Sequence, residues 1–99
     1  MDTYITFQIN AKAGHRLASL YLNTCLPHQL GIYEQLIVDG AAWKVKVNRA
    51  TYDLINKMWK AQLEPYTPND MDDAHDVIAE LIEAGWQHSS DVYQTATWE

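Results

Sequence analysis

The sequence predicts an α+β fold: an antiparallel sheet of about four strands with helices packed on one face, in the order β-α-β-β-α-α-β, a ferredoxin-like variant. Three observations carry that expectation. Apolar residues alternate with period two near the start, helix-period stripes recur in three later segments, and Gly, Pro and Asn/Asp punctuate the joins. A chain of 99 residues with 47% hydrophobic and 20% charged side chains fits one globular domain over 1–99 with a single modest core.

The first strand is read in "YITFQIN", where Ile5, Phe7 and Ile9 alternate with Tyr4, Thr6 and Gln8. In "AKAGHRLASLYLN", Leu17, Leu20 and Tyr21 fall at helical spacing and Asn10 stands as a cap, so a first helix is expected, weakened by Gly14. Pro27 and Gly31 break the chain. Two β-rich runs then flank Asp39 and Gly40, the strongest hairpin signal in the sequence. In the second run Trp43, Val45 and Val47 face one way, and Lys44 and Lys46 the other.

A second helix is expected after Asn48, on a stripe of Tyr52, Ile55, Trp59 and Leu63, and Pro65 ends it. A third starts with Thr67 as cap, Pro68 at the first helical position and Asp70 three residues after the cap. It should bury Met71, Ala74, Val77, Ile78, Leu81 and Ile82, and stop at Gly85, with Trp86 packing back. The run Val92, Tyr93, Thr95, Thr97 and Trp98 reads as a last strand.

Charge is the strongest functional signal. Residues 1–60 carry seven Lys or Arg against four acids, a net +3, whereas residues 61–99 carry nine acids and no Lys or Arg. Such a polarised chain steers partners or pairs subunits. On the third helix Asp73, Asp76, Glu80 and Glu83 recur at steps of three and four and so share one stripe. The acids near its N-terminus favour the helix dipole; Glu80 and Glu83 oppose it, with no basic residue in helical reach. The front half of the cluster therefore has a structural reason and the back half does not, which leaves a solvated helix face and a surface for a basic partner as the competing readings of the stripe.

Other chemistries are weaker. Asp72, Asp73 and Asp76 spell D-D-x-x-D, but the other expected helices supply no second carboxylate group to complete a magnesium site. Cys25 and His28 form only half a zinc site, and a thiolate–base reading lacks an orienting group. Phosphate loops, nucleophile elbows and H-E-x-x-H are absent. No cofactor and no catalytic residue is assigned.

Trp43 alternates away from Lys44 and Lys46, and the net charge is −6, which together argue against a nucleic-acid partner. One cysteine, no apolar run of roughly 20 residues and no secretory leader lead us to expect a soluble, cytoplasmic protein with no membrane anchor. With four Trp and six Tyr, some aromatics should reach the surface.

The reading favoured by the sequence is a small non-enzymatic binding or accessory protein, acting on a protein partner or on itself as a homodimer. Asp73, Asp76, Glu80 and Glu83 would steer the contact, and Trp86 and Trp98 would anchor it. The alternative is a small-molecule-binding domain with an aromatic pocket at Trp43, Tyr52 and Trp59 and weak catalytic activity at most.

Overall fold

A computed structural model describes residues 2–37 and 44–88. The strand predicted at the N-terminus is present as β1 (Asp2–Asn10), and its burial alternates as the sequence requires, with Thr3, Ile5, Phe7 and Ile9 buried and Tyr4, Thr6, Gln8 and Asn10 partly exposed. The rest of the sheet comes from β2 (Arg16–Cys25), β3 (Gln35–Ile37), β4 (Lys44–Asp53), β5 (Met58–Leu63) and β6 (Gln87–His88). They form one mixed sheet of six strands in the order β3-β4-β5-β1-β2-β6, curled into a half-barrel. The β1–β5 pair is parallel and every other pair antiparallel.

This corrects the four-stranded, ferredoxin-like expectation. Only one helix, α1 (Met71–Glu83), is found among the described residues, and both earlier helix expectations fall on strands. The segment 11–23 fits two periods at once. Leu17, Leu20 and Tyr21 suit a helix, but Ala18, Leu20 and Leu22 also alternate with Ser19, Tyr21 and Asn23. Pairing decides it, because β2 runs alongside β1 from Asp2↔Cys25 to Asn10↔Arg16 and so satisfies its backbone groups across the ladder. Gly14, at φ +96°, makes the turn between them, with Ala11 N–H donating to His15 C=O at 2.8 Å.

The second misread segment, 48–63, is the hairpin of β4 and β5, closed by Asp53↔Met58 around Leu54–Lys57. The expected stripe is thereby split: Leu63 is fully buried, while Ile55 is 91% exposed. The hairpin expected around Asp39 and Gly40 has its pairing in place, Leu36 opposite Val45 and Ile37 opposite Lys44. Val45 and Val47 are buried and Lys46 is exposed, as the alternation required, and the turn residues with Trp43 lie outside the described residues.

The third expected helix is α1, begun three residues later than Thr67 would have it. Its cap is Asp70, whose Oδ1 accepts from Asp73 N–H at 2.7 Å, and Asp73 Oδ2 accepts in turn from Asn69 N–H at 3.0 Å. Two orphan donors are satisfied by two carboxylates, so the cap itself employs part of the acidic run. The exit matches the sequence. Gly85 sits at φ +110°, Trp86 N–H donates to Leu81 C=O and Gly85 N–H to Ile82 C=O, the paired bonds of a Schellman stop.

Ala74, Val77, Ile78 and Leu81 of α1 join Ile5, Phe7, Ile9, Leu20, Val47 and Leu63 in one core cluster. Ile82, expected inside, is 45% exposed. The helix thus lies on the sheet face that carries the buried alternates, and among the described residues the opposite face carries no helix. The expected strand at Val92–Trp98 lies outside the described residues; β6, just before it, pairs with β2 through Leu20↔His88.

Candidate functional surfaces

Three surfaces follow from this arrangement. The first is the outer side of α1. Asp76, Glu80 and Glu83 are exposed, Asp73 is partly buried by its capping role, and Glu80 and Glu83 form no ion pair with any described residue. No basic residue occupies the last turn. The stripe predicted from spacing is therefore present as geometry, and its C-terminal half adds to the negative end of the helix dipole. Asp73 also faces Tyr66, whose hydroxyl pKa is raised by burial first and by that carboxylate second.

Trp86 is placed differently from its expected anchoring role. It is 4% exposed, with its ring centroid 6.1 Å from that of Phe7, so most of its surface is spent in the core. The Schellman stop explains this, since it turns the residue after Gly85 back over the helix end and onto the sheet. Trp98 and Trp43 lie outside the described residues.

The second surface is the tip of the β4–β5 hairpin. Leu54 is 80% and Ile55 91% exposed, and on the next rung Tyr52 (41% exposed) meets Trp59 edge to face at 5.1 Å. Tyr52 and Trp59, expected to line a pocket, form a cross-strand pair behind the tip. The tip is held by one carboxylate. Asp53 accepts from the side-chain amide of Asn56 at 2.9 Å, from Ile55 N–H at 2.9 Å and from Asn56 N–H at 3.1 Å, and Lys60 Nζ stands 3.1 Å away. These bonds, the Asn56 amide foremost, hold its carboxyl well below the usual carboxylate range. Lys57 completes the turn in the left-handed region at φ +53°.

Helix-period reading hid this tip. The signal that could have found it is Asp53 followed three residues later by Asn56 between two β-rich runs, because Asp and Asn side chains replace backbone partners in turns.

The third surface is the helix-free face of the sheet. Strand pairing lines up Thr51, Lys60, Tyr4 and Asn23 in one row and Arg49, Gln62, Thr6 and Tyr21 in the next. The Tyr4 and Tyr21 rings lie 5.5 Å apart, Lys60 Nζ is 5.9 Å from the Tyr4 centroid, and the Tyr21 hydroxyl is 2.6 Å from Gln87 Oε1. Two clefts open there. One of about 300 Å³ is lined by Tyr4, Arg49, Thr51 and Lys60, and one of about 290 Å³ by Gln8, Arg16 and Ser19; Thr6 and Gln62 line both.

Metal chemistry finds little geometric support. Among the described residues no group of three or more His, Cys, Asp or Glu is arranged to hold an ion. Cys25 ends β2, and His28 lies beside Glu34, Nε2 to Oε2 3.3 Å. No helix among the described residues is long and apolar enough to cross a membrane. Compared with known proteins, the chain matches no family model, no curated protein and no solved structure. What the described residues define is thus a small α+β domain with a six-stranded mixed sheet and one helix.

Proposed function

We propose that the protein is a non-enzymatic binding module that acts on a protein partner, anchored by the Leu54–Ile55 tip and steered by Asp73, Asp76, Glu80 and Glu83. The observation that carries this reading is the tip. Two adjacent aliphatic side chains are presented to water at 80% and 91% exposure on a turn fixed by Asp53. Exposed apolar residues on a rigid turn lose little conformational entropy on docking, which is the condition for a few residues to dominate affinity. Tyr52 and Trp59 extend that apolar surface, so the aromatic pair serves the anchor. Among the sequence-predicted anchors Trp86 is spent in the core, and the hairpin takes its place.

The acidic stripe supplies attraction at a distance, raising the on-rate toward a basic surface more than the final affinity. The test is capture of partners from the native cell extract on the immobilised protein, followed by kinetics of the captured species. Leu54→Ser/Ile55→Ser should abolish capture, and reversal of the four acids to lysine should slow association and weaken its salt dependence. Equal capture by wild type and both variants overturns the reading. A metabolite panel monitored by tryptophan fluorescence tests the small-ligand alternative at Tyr52 and Trp59; saturable quenching there favours it.

A further inference from the structure

We propose that the helix-free face of the sheet is a second binding surface, one that takes single-stranded nucleic acid without sequence preference through Tyr4, Tyr21, Arg16, Arg49 and Lys60. The case rests on which residues strand pairing brings together. In sequence Tyr4, Tyr21, Arg49 and Lys60 are scattered over four strands, but register places them in two adjacent rows. The two clefts that cross these rows adjoin at their shared lining residues, Thr6 and Gln62, and together reach across β4, β5, β1 and β2.

The chemistry of those clefts is selective. No carboxylate lines either cleft, and three cations do. Arg16 and Arg49 make no ion pair with any described residue, while Lys60 is shared between Asp53 at 3.1 Å and the face of Tyr4. Glu64 continues the face beyond Gln62, outside both clefts, where its N–H bonds Lys46 C=O at 2.9 Å. Asp2 and Asp53 lie on the same face beside the Tyr4 row, so in this chain of net charge −6 the cationic stretch is confined to the two clefts.

Cations alone would suit any polyanion. The two tyrosines favour nucleic acid over an acidic protein segment, because partly exposed rings standing on a sheet face beside arginine and lysine offer bases a stacking platform. A small floor residue, Thr6, leaves room for a planar ring, and the amides of Gln8 and Gln62 can meet base edges as donor or acceptor. Nothing in the clefts forms a protruding helix or ribbon to enter a duplex groove, so single strands are the form that fits.

The experiment is fluorescence anisotropy of labelled oligothymidylate, oligouridylate and a duplex of equal length, titrated with the full chain across salt concentrations. Single strands should bind more tightly than the duplex, with log affinity falling against log salt at a slope of about −2 for three cations. Arg49→Ala should make that slope shallower by about 0.7. Tyr4→Ala and Tyr21→Ala should each weaken binding by roughly 5- to 150-fold with the slope unchanged. Circular dichroism and urea unfolding of each variant establish that the sheet is intact.

No binding at low salt, preference for duplex, or full displacement by polyglutamate with the tyrosine variants unaffected would each overturn the proposal. The last result would make the face an acidic-protein surface. Leu54→Ser/Ile55→Ser, which touches neither cleft, should leave oligonucleotide binding intact, so this inference and the protein-partner reading fail separately.

Discussion

The two faces of β1 have the same backbone and opposite fates. Ile5, Phe7 and Ile9 are sealed under α1 and Trp86, whereas Tyr4, Thr6 and Gln8 stand partly exposed on a face that no helix among the described residues covers. A single alternation thus allots the core and a candidate binding surface at once, because successive side chains in a strand point to opposite sides. The contrast teaches that the chemistry of an exposed sheet face is best read from the residues left over once the core has been assigned.

The largest expected effect breaks the comparison outright. Phe7→Ala should cost about 3–5 kcal/mol in urea unfolding, as deletion of a fully buried aromatic does. Tyr4→Ala, on the other face, should cost about 1 kcal/mol or less, mostly the lost ring contact with Tyr21. Comparable losses for the two would mean that Tyr4 is core and that the face is no surface.

A smaller effect tests how α1 is placed over the buried face. Gly85→Ala has room for the new methyl, the nearest atom being Leu22 Cδ1 at 4.0 Å, so the cost is that of holding alanine at φ +110°, about 1–2 kcal/mol. Loss of tryptophan burial, followed by near-UV circular dichroism, should accompany it. If the variant is as stable as wild type, the Schellman stop is not what seats Trp86.

Smaller again, and of opposite sign, is the effect on the acidic side. Glu80→Lys and Glu83→Lys should each stabilise α1 by about 0.3–1 kcal/mol in thermal or urea unfolding, since a cation suits the negative end of the dipole. The same changes should slow partner association. Stability gained while binding is lost would mark the two glutamates as retained for contact.

The smallest effect concerns the hairpin tip and its pH dependence. The folded pKa of Asp53 lies below its unfolded value of 3.8, so its contribution is complete above that pH. It fades as the pH falls below 3.8 and is lost once the pH passes the lower folded value. The amide shifts of Ile55 and Asn56, followed by NMR, should therefore stay constant through the usual carboxylate range and move only below it. Asp53→Asn, which keeps an acceptor oxygen for those amides but loses the charge facing Lys60, should remove the step.

Much of α1 was legible because all its information is local. The acidic first turn, the period of Ala74, Val77, Ile78 and Leu81, and Gly85 all act within the segment, and even the shift of the cap from Thr67 to Asp70 stays inside it. The segments 11–23 and 48–63 were misread because their apolar spacings satisfy a helix and a strand together. Only partners far along the chain choose between the two, β1 for the first and the parallel and antiparallel neighbours of β5 for the second. The same holds for the surfaces: the acidic stripe is a property of one helix, whereas the Leu54–Ile55 tip exists only once the hairpin has formed.

By itself, then, the sequence determined β1 with its two faces, the hairpin pairing of β3 with β4, the body and stop of α1, and the polarised charge. The tertiary structure alone decided that Trp86 goes inside, that Ile55 goes outside, and that Tyr4, Tyr21, Arg49 and Lys60 share a face. The physical reason is the range of the interactions. Capping, dipole and periodicity act over a few residues and are written in order along the chain, while strand register is fixed by hydrogen bonds and burial between segments up to 68 residues apart, as Leu20 and His88 are.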